Sequence, residues 1–505
     1  MTHRLTQHQV PVSLRRLFPR ASFVGCADVR VIRATERSGE CTTGTLFAAI
    51  PGHRVNGEQY ATDAIGRGAT SLLVEQPLAD IAVPQCIVRN ARRSYSQLCA
   101  ELAGRPSTRL HLSAVTGTNG KTTVTWLLRS ILEAAGKQAG LLGTIEYSDG
   151  INSEPATLTT PDSSRLSTSL RDMLLSRTTH AAIELSSHAL HQDRCAGTYL
   201  DVAIVTNVTQ DHFDYHGDAQ SYLDSKARIV EHLKPNGVLI VNADNVGSSS
   251  IGQQAADRAR IVTYGIDSPA DVTVEIIEET TTQSRFVIRF ADEQIEVQSA
   301  LVGRHNISNC LAAAATAMCA GIPISAIADG IEKLACVPGR LERIEVGQPF
   351  DLFVDYAHTD DALRRVLDGL KRISARRVIC VFGAGGDRDS SKRPLLGRAA
   401  SLADVAIVTS DNPRSEDPAD IVQDIVQGFP TAVSQPLIEL DRADAIRRAI
   451  EIAEPGDCVV IAGKGHETEQ IIGSERLAFN DSHVARQALL KFLHLQAVPQ
   501  VKMRA

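Results

Sequence analysis

At 505 residues the chain is too long for a single hydrophobic core, and the length implies about three domains. A hydrophobic fraction of 43% against 22% charged residues is ordinary for a globular protein, and a net charge of −7 argues against a nucleic-acid partner, which calls for a basic face. No apolar run approaches the roughly 18 residues that cross a bilayer, the start MTHRLTQHQVPVSLRRLFPR has no apolar stretch for a signal peptide, and the ten cysteines include no C-x-x-C pair, so reduced thiols in a cytoplasmic protein are expected.

In chain order, the first hundred residues carry short strand signals, SFVGC, TLFAAI and TSLLVE, and end at the turn-prone GRPSTR. LHLSAV then reads as a buried strand that runs into the glycine loop VTGTNGKTT and the helical TTVTWLLRSILEAAG. Strands HAAIEL, LDVAIVTNV and GVLIVNAD follow with helical stretches between them, the alternation of a parallel, doubly wound sheet. Residues 271–302 alternate apolar and polar, as antiparallel strands with one wet face do, and NISNCLAAAATAMCAG reads as an alanine-rich buried helix. From PGRLERIEV the alternation recurs: strand DLFVDYA, helix DALRRVLDGLKRI, then strands RRVICVFGAGG, DVAIVTSDNPR and DCVVIAGKGHE.

The expected fold class is α/β with three domains. These are a small N-terminal α/β domain (1–107), a central P-loop-type domain with a doubly wound, mostly parallel sheet (108–338) and a C-terminal Rossmann-like α/β domain (339–505). Almost every apolar strand of the second and third segments ends in a polar or glycine-rich cluster. Ligands of open α/β sheets sit outside the carboxyl ends of the strands, so two such edges facing each other would make a cleft.

The glycine loop departs from the general phosphate-binding pattern, which wants glycine where Val115 stands. Gly117 and Gly120 still let backbone N–H groups approach phosphate oxygens at a helix N-terminus. Lys121 would reach the outer phosphates and Thr122 would place its hydroxyl on Mg²⁺. Glu184 ends a strand, where a carboxylate can meet the nucleotide's magnesium; His188 and His191 by themselves read as surface or core histidines. His212 and His216 stand four apart, a zinc spacing on a helix face, but the Asp and Gly around them suit a loop better. Lys226, near an expected helix start, reads on its own as a solvated side chain.

Seven motifs, TGTNGKTT, TTPDS, ELSSHAL, DHFDYHGDAQSYLDSK, GRHNISN, PGRLE and DYAHT, occur in the order found in the Mur ligases. The chain closely resembles that family from about residue 110 to 485, and more weakly over its first hundred residues. The variant loop fits, because these ligases have TGTxGKT. The resemblance implies an ATP-dependent amide ligase of cytoplasmic peptidoglycan precursor synthesis. It would join meso-diaminopimelate to the D-glutamate γ-carboxylate of UDP-N-acetylmuramoyl-L-alanyl-D-glutamate through an acyl phosphate, with ATP and Mg²⁺ as cofactors. It would act as a monomer, without nucleic acid and without membrane insertion.

Residue by residue, the resemblance implies ATP contacts from Thr116, Gly117, Thr118, Asn119, Gly120, Lys121, Thr122 and Thr123, with Asn306, Arg340, Asp355 and His358. Lys121, Glu184, His212 and Lys226 form the implied catalytic set. Lys226 would be carbamylated by CO₂, which reverses the solvated reading. Thr122 and Glu184 would hold one Mg²⁺, and Glu184, His212 and the carbamate a second. Thr159, Thr160, Ser186, Gln192 and Arg194 match the muramoyl-peptide site. The family's uridine-gripping DSR is altered here to ATERSGECTTGTLFAAI, so that Glu36 or a neighbour replaces the usual serine, with His53 as the second contact. Asp360 stands where proline is common.

The added amino acid is read from three strand-end loops. Arg388, then Asp411, Asn412, Pro413 and Arg414, then Gly463 and Glu467 follow successive strands. Arginine suits a bidentate carboxylate grip, and Glu467 could take an ammonium, together matching the distal zwitterion of diaminopimelate. Lysine lacks that carboxylate and would leave the arginines unpaired; DNPR is also the motif of the diaminopimelate-adding members. The rivals are a lysine-adding or other Mur or folylpolyglutamate-type ligase, and a nucleotide switch using the same loop.

Overall fold

The computed structural model describes residues 10–52, 55–209, 211, 213–432 and 435–497. Its first sheet has strands β1 (Ser22–Val24), β2 (Ala34–Thr35), β3 (Thr45–Ala48), β4 (Ala69–Val74) and β5 (Gln85–Ile87), in the order β1-β5-β4-β3-β2. Successive residues of β3 and β4 feed opposite cores: Leu46 and Leu73 pack with Tyr95 and Leu98 of helix α1 (Ala91–Leu102), whereas Phe47 and Leu72 pack on the other face. Burial on both faces explains why these strands are continuous apolar runs.

The second sheet has eleven strands. The glycine loop follows β6 (His111–Thr116) and opens helix α2 (Lys121–Ala134). Next come β7 (Ala139–Leu142), β8 (Glu146–Ser148), β9 (Ser153–Pro155), β10 (His180–Glu184), helix α3 (Ser187–His191) and β11 (Leu200–Val205). The short helices α4 (Phe213–His216) and α5 (Ala219–Ala227) precede β12 (Leu233–Asn242) and β13 (Arg260–Tyr264). The strand order is β9-β8-β7-β10-β6-β11-β12-β13 and then β14 (Val272–Glu279), β15 (Ser284–Phe290) and β16 (Glu293–Ser299). The run β7-β10-β6-β11-β12-β13-β14 pairs in parallel, β8 and β9 add to it antiparallel, and the alternating stretch forms the expected antiparallel β14–β16, joined through the parallel pairing of Val272 with Tyr264. The alanine-rich segment is helix α6 (Arg304–Cys319), with Ala312–Ala315 fully buried, because small side chains let it lie close on α2.

The third sheet has the order β17-β18-β22-β19-β20-β21. Its strands are β17 (Glu342–Arg343), β18 (Asp351–Asp355), β19 (Val378–Phe382), β20 (Val405–Val408), β21 (Leu437–Ile438) and β22 (Cys458–Ala462), all parallel except β17. Helix α7 (Asp360–Ile373) begins at Thr359, whose Oγ1 accepts the Ala362 N–H, with Asp360 and Asp361 in the first turn where carboxylates complement the helix dipole. Asp360 thus stands at a helix start, as its place in the sequence suggests.

Two local expectations are corrected. His216 closes a short helix rather than lying in a loop. Lys226 sits in the last turn of α5, not at a helix start, and is 1% exposed rather than solvated. Periodicity failed at Lys226 because a nine-residue helix whose buried face holds Tyr222, Ser225 and Lys226 has no apolar stripe to read.

Candidate active site

The carboxyl edges of the second and third sheets face each other. Asn119 Nδ2 and Thr209 Oγ1 both donate to Asp361 Oδ2, at 3.2 and 3.0 Å, and Lys392 Nζ meets Asp211 Oδ1 at 3.1 Å. Between the edges lies a cavity of about 320 Å³ lined by residues 117–123 of the glycine loop from one side and by Arg340, Asp355, Tyr356 and His358 from the other; Thr116, expected among the ATP contacts, is fully buried and does not line it.

The glycine loop is held from behind. Thr118 N donates to Asn207 O (2.9 Å), Asn119 N to Asn207 Oδ1 (2.9 Å), and the Thr118 and Tyr222 hydroxyls meet at 3.1 Å. Gly120 adopts φ +88°, and a Cβ there would come within 2.4 Å of Asn309 Oδ1, so a side chain is excluded. Lys121 Nζ folds back onto Gly117 O and Thr118 O, at 2.9 and 3.0 Å. Burial lowers its pKa, Glu184 opposes the shift and Arg340 adds to it. Thr122 Oγ1 accepts from Arg340 Nη2 at 3.2 Å. Asn306 spends its amide inside the protein, Nδ2 donating to Val302 O and Oδ1 accepting from Asn309. Asp355 likewise accepts the Leu341 and Ala357 N–H groups, at 2.7 and 2.8 Å. Both residues line the cavity, and both shape it.

Glu184, at the end of β10, is 1% exposed; its Oε1 accepts Thr144 N and its Oε2 the Thr144 hydroxyl, both at 2.8 Å. Lys226 Nζ lies 4.4 Å from the Tyr222 ring centroid. Burial and the neighbouring Lys121 charge push its pKa well below the usual lysine value, with Asp211 opposing. The shift favours the neutral amine, the form that can act as a nucleophile. His212 and His53 lie outside the described residues.

The residues expected to hold the muramoyl peptide cluster beside Glu184. Thr160 Oγ1 donates to Glu184 O (2.7 Å) and accepts Ser186 N (2.9 Å), while Thr159 Oγ1 lies 3.2 Å from the Thr144 hydroxyl oxygen. Arg194 donates to Gln192 Oε1 (2.8 Å) and to Thr160 O (3.2 Å). Glu36 reaches this cluster from the first sheet's side: burial raises its pKa and Asp162 adds to the rise, opposed by Arg92, Arg37 and Arg194.

A second group gathers beyond β19, β20 and β22. Asp411 and Asn412 are nearly buried, and Arg414, at φ +52°, donates through Nη1 to Gly386 O at 2.5 Å. Gly386 N donates to Asn412 O at 2.9 Å, which joins the loop carrying the exposed Arg388 to the loop of Pro413 and Arg414. Gly463 adopts φ +114°, and a Cβ there would lie 2.7 Å from Asp411 Oδ2. Glu467 Oε2 accepts from Asn412 Nδ2 and Lys464 Nζ, both at 2.9 Å. The structure thus brings all seven of these residues to neighbouring loops.

Sequence reasoning missed Thr144, Tyr222, Asp361 and Lys464. Only Lys464 carried a usable signal: a lysine between two glycines at the end of a fully apolar strand.

Known proteins share this chain's sequence pattern and fold. The Mur ligase middle domain matches residues 115–317, and the glutamate ligase domain of Mur ligases matches residues 339–465. The chain belongs to the Mur ligase family. A UDP-N-acetylmuramoyl-L-alanyl-D-glutamate–2,6-diaminopimelate ligase of Geobacillus kaustophilus (strain HTA426) is 42% identical over 460 residues, 90% of this chain and 93% of that protein. One of Solibacter usitatus (strain Ellin6076) is 40% identical over 475 residues, 93% and 96% of the two chains. A solved structure of a ligase with the same activity is 31% identical, with a TM-score of 0.68, covering 96% of this chain and 100% of that one. The fold also matches that of a MurF ligase from Thermotoga maritima in complex with ADP, 17% identical with a TM-score of 0.63 over 92% and 98% of the two chains. Among the described residues of this Mur ligase, no helix is long and apolar enough to cross a membrane.

Proposed function

We propose that this Mur ligase joins meso-diaminopimelate to the D-glutamate γ-carboxylate of UDP-N-acetylmuramoyl-L-alanyl-D-glutamate, with conversion of ATP to ADP and phosphate, in the cytoplasm. In this reading residues 1–107 hold the uridine end, 108–338 the ATP and 339–505 the incoming amino acid. The observation that carries it is the opposition of the glycine loop at one sheet edge to Arg340, Asp355 and His358 at the other, with relatives of that activity aligned over nearly their whole length.

The chemistry begins with transfer of the ATP γ-phosphoryl group to a γ-carboxylate oxygen, the bond to ADP breaking as the new P–O bond forms. The amino nitrogen of diaminopimelate then attacks the acyl carbon. The nitrogen loses a proton, the carbon–oxygen bond to phosphate breaks, and the amide remains. Lys121 swings from its present acceptors, Gly117 O and Thr118 O, onto the phosphoryl oxygens, where a preorganised cation stabilises developing charge. The backbone N–H groups of the loop and the N-terminus of α2 hold the remaining phosphate oxygens. Thr159, Thr160, Ser186, Gln192 and Arg194 orient the muramoyl dipeptide, with Glu36 and His53 towards its uridine end. Arg388 and Arg414 grip the distal carboxylate while Glu467 takes the ammonium.

The buried Thr122 hydroxyl and Glu184 carboxylate are hard oxygen donors of the kind magnesium prefers. Magnesium is held by one or two carboxylates together with substrate phosphates, so a second anionic oxygen beside Glu184 would suit it. Lys226 fits that need once its neutral amine adds to CO₂ and loses a proton, leaving a carbamate; with His212 it would complete the set. Bound there, magnesium neutralises the charge that accumulates between phosphate and carboxylate.

The deciding experiment measures ADP release by purified protein with the muramoyl dipeptide and either diaminopimelate or lysine. Turnover that needs both co-substrates and prefers diaminopimelate supports the reading. Preference for lysine, or equal turnover with no acceptor, refutes it.

A further inference from the structure

Lys464 has no part in the scheme above, yet its side chain is 0% exposed. All three ammonium hydrogens are engaged: Nζ donates to Asn412 Oδ1 at 3.0 Å, Glu467 Oε2 at 2.9 Å and Glu469 O at 2.7 Å. A lysine taken wholly out of water is costly unless each donor is satisfied. This one is satisfied by two residues of the amino-acid cluster and by the backbone next to it.

The consequence lies in what is left over. Asn412 Oδ1 is used twice, by Lys464 and by Ile471 N at 2.9 Å, which fixes which way the amide faces; its Nδ2 then donates to Glu467 Oε2. Glu467 Oε2 thus takes two protein donors, whereas among the described residues Oε1 takes none. The Glu467 side chain is 33% exposed, so the carboxylate is both anchored and accessible. Arg442 braces the same strand ends from below: it is buried, paired with Asp481 at 2.7 Å, and donates to Ala462 O at 2.9 Å.

We infer that Lys464 is the positioning and specificity-determining residue of the amino-acid site: it clamps Glu467 and Asn412 so that one carboxylate oxygen faces the substrate's distal ammonium. This rests on the proposed function. Lys464 also sets the net charge of the cluster. Asp411 and Glu467 oppose Arg388 and Arg414 evenly, and the buried lysine tips the balance towards a ligand that brings a carboxylate as well as an ammonium. Lysine, whose distal end carries an ammonium alone, gains nothing from it.

The test is Lys464→Met, which keeps the length and removes the charge. Diaminopimelate KM rises about tenfold or more, the scale of a lost charged hydrogen bond. ATP KM stays at the wild-type value, and the ratio of kcat/KM for diaminopimelate over lysine falls. In a Glu467→Gln background the same substitution adds little, because its effect runs through Glu467. Unchanged diaminopimelate KM and unchanged discrimination overturn the inference, as does full additivity with Glu467→Gln, which marks a purely structural role. If Lys464→Met does not fold, Lys464→Gln is judged by the same criteria. A wild-type enzyme that prefers lysine defeats the proposed function itself, a result separate from failure of the variant alone.

Discussion

Arg340 reaches across from the third-domain side to the glycine loop, its Nη2 donating to the Thr122 hydroxyl at 3.2 Å while its guanidinium lies 4.6 Å from the Tyr356 ring centroid. One side chain thus ties the phosphate loop to the opposite sheet edge. Arg340→Ala is expected to raise the KM for ATP about tenfold, the cost of one charged hydrogen bond. At saturating ATP the KM for diaminopimelate should stay where it was. Steady-state kinetics with each substrate varied in turn checks this.

Lys226 is buried and its pKa is depressed, which favours the neutral amine that CO₂ requires. Protein equilibrated with ¹³C-bicarbonate should show a carbamate carbon signal that is absent from Lys226→Ala. The same variant should lose about a hundredfold or more in kcat, on the scale of removing a preorganised charge from a transition state. Full activity in the variant would remove Lys226 from the catalytic set.

Gly463 combines φ +114° with a Cβ position 2.7 Å from Asp411 Oδ2. Gly463→Ala must shift either the backbone or Asp411, at a cost of about 1–2 kcal/mol. The expected readout is a diaminopimelate KM raised about tenfold with ATP KM unmoved, measured by the same ADP-release assay.

His111 and His180 lie opposite each other at the starts of β6 and β10, their rings stacked 5.1 Å apart. Burial lowers both pKa values, that of His180 to about 4, with His111 itself a further cause. The unfolded chain, titrating near 6.5, therefore binds more protons than the fold between these values. The pair's contribution is present above pH 6.5 and is lost as pH falls towards 4. Unfolding midpoints should drop by about 1 kcal/mol equivalent between pH 7 and 5, allowing for solvent screening. His180→Phe should flatten that dependence.

The sequence alone determined the α/β class, the strand-loop-helix of the phosphate site and the clustering of Arg388, Asn412, Arg414 and Glu467 at strand ends. These are local matters: apolar runs make buried strands, glycines allow close backbone approach, and polar residues after a strand must lie at the sheet's edge. Tertiary structure decided which edges face each other. Asp361 reads as an ordinary first-turn carboxylate until Asn119 and Thr209 are found on it. Lys226 by its residue type alone reads as a solvated lysine, and only the fold shows that it and Lys464 are buried. Charge on a side chain says nothing about its surroundings, because burial and pairing depend on residues far away in the chain. Lys464 and Asn412 are 52 positions apart, and Arg340 and Thr122 are 218 apart. Only folding brings those partners within hydrogen-bond reach, and the chemistry resides in those contacts.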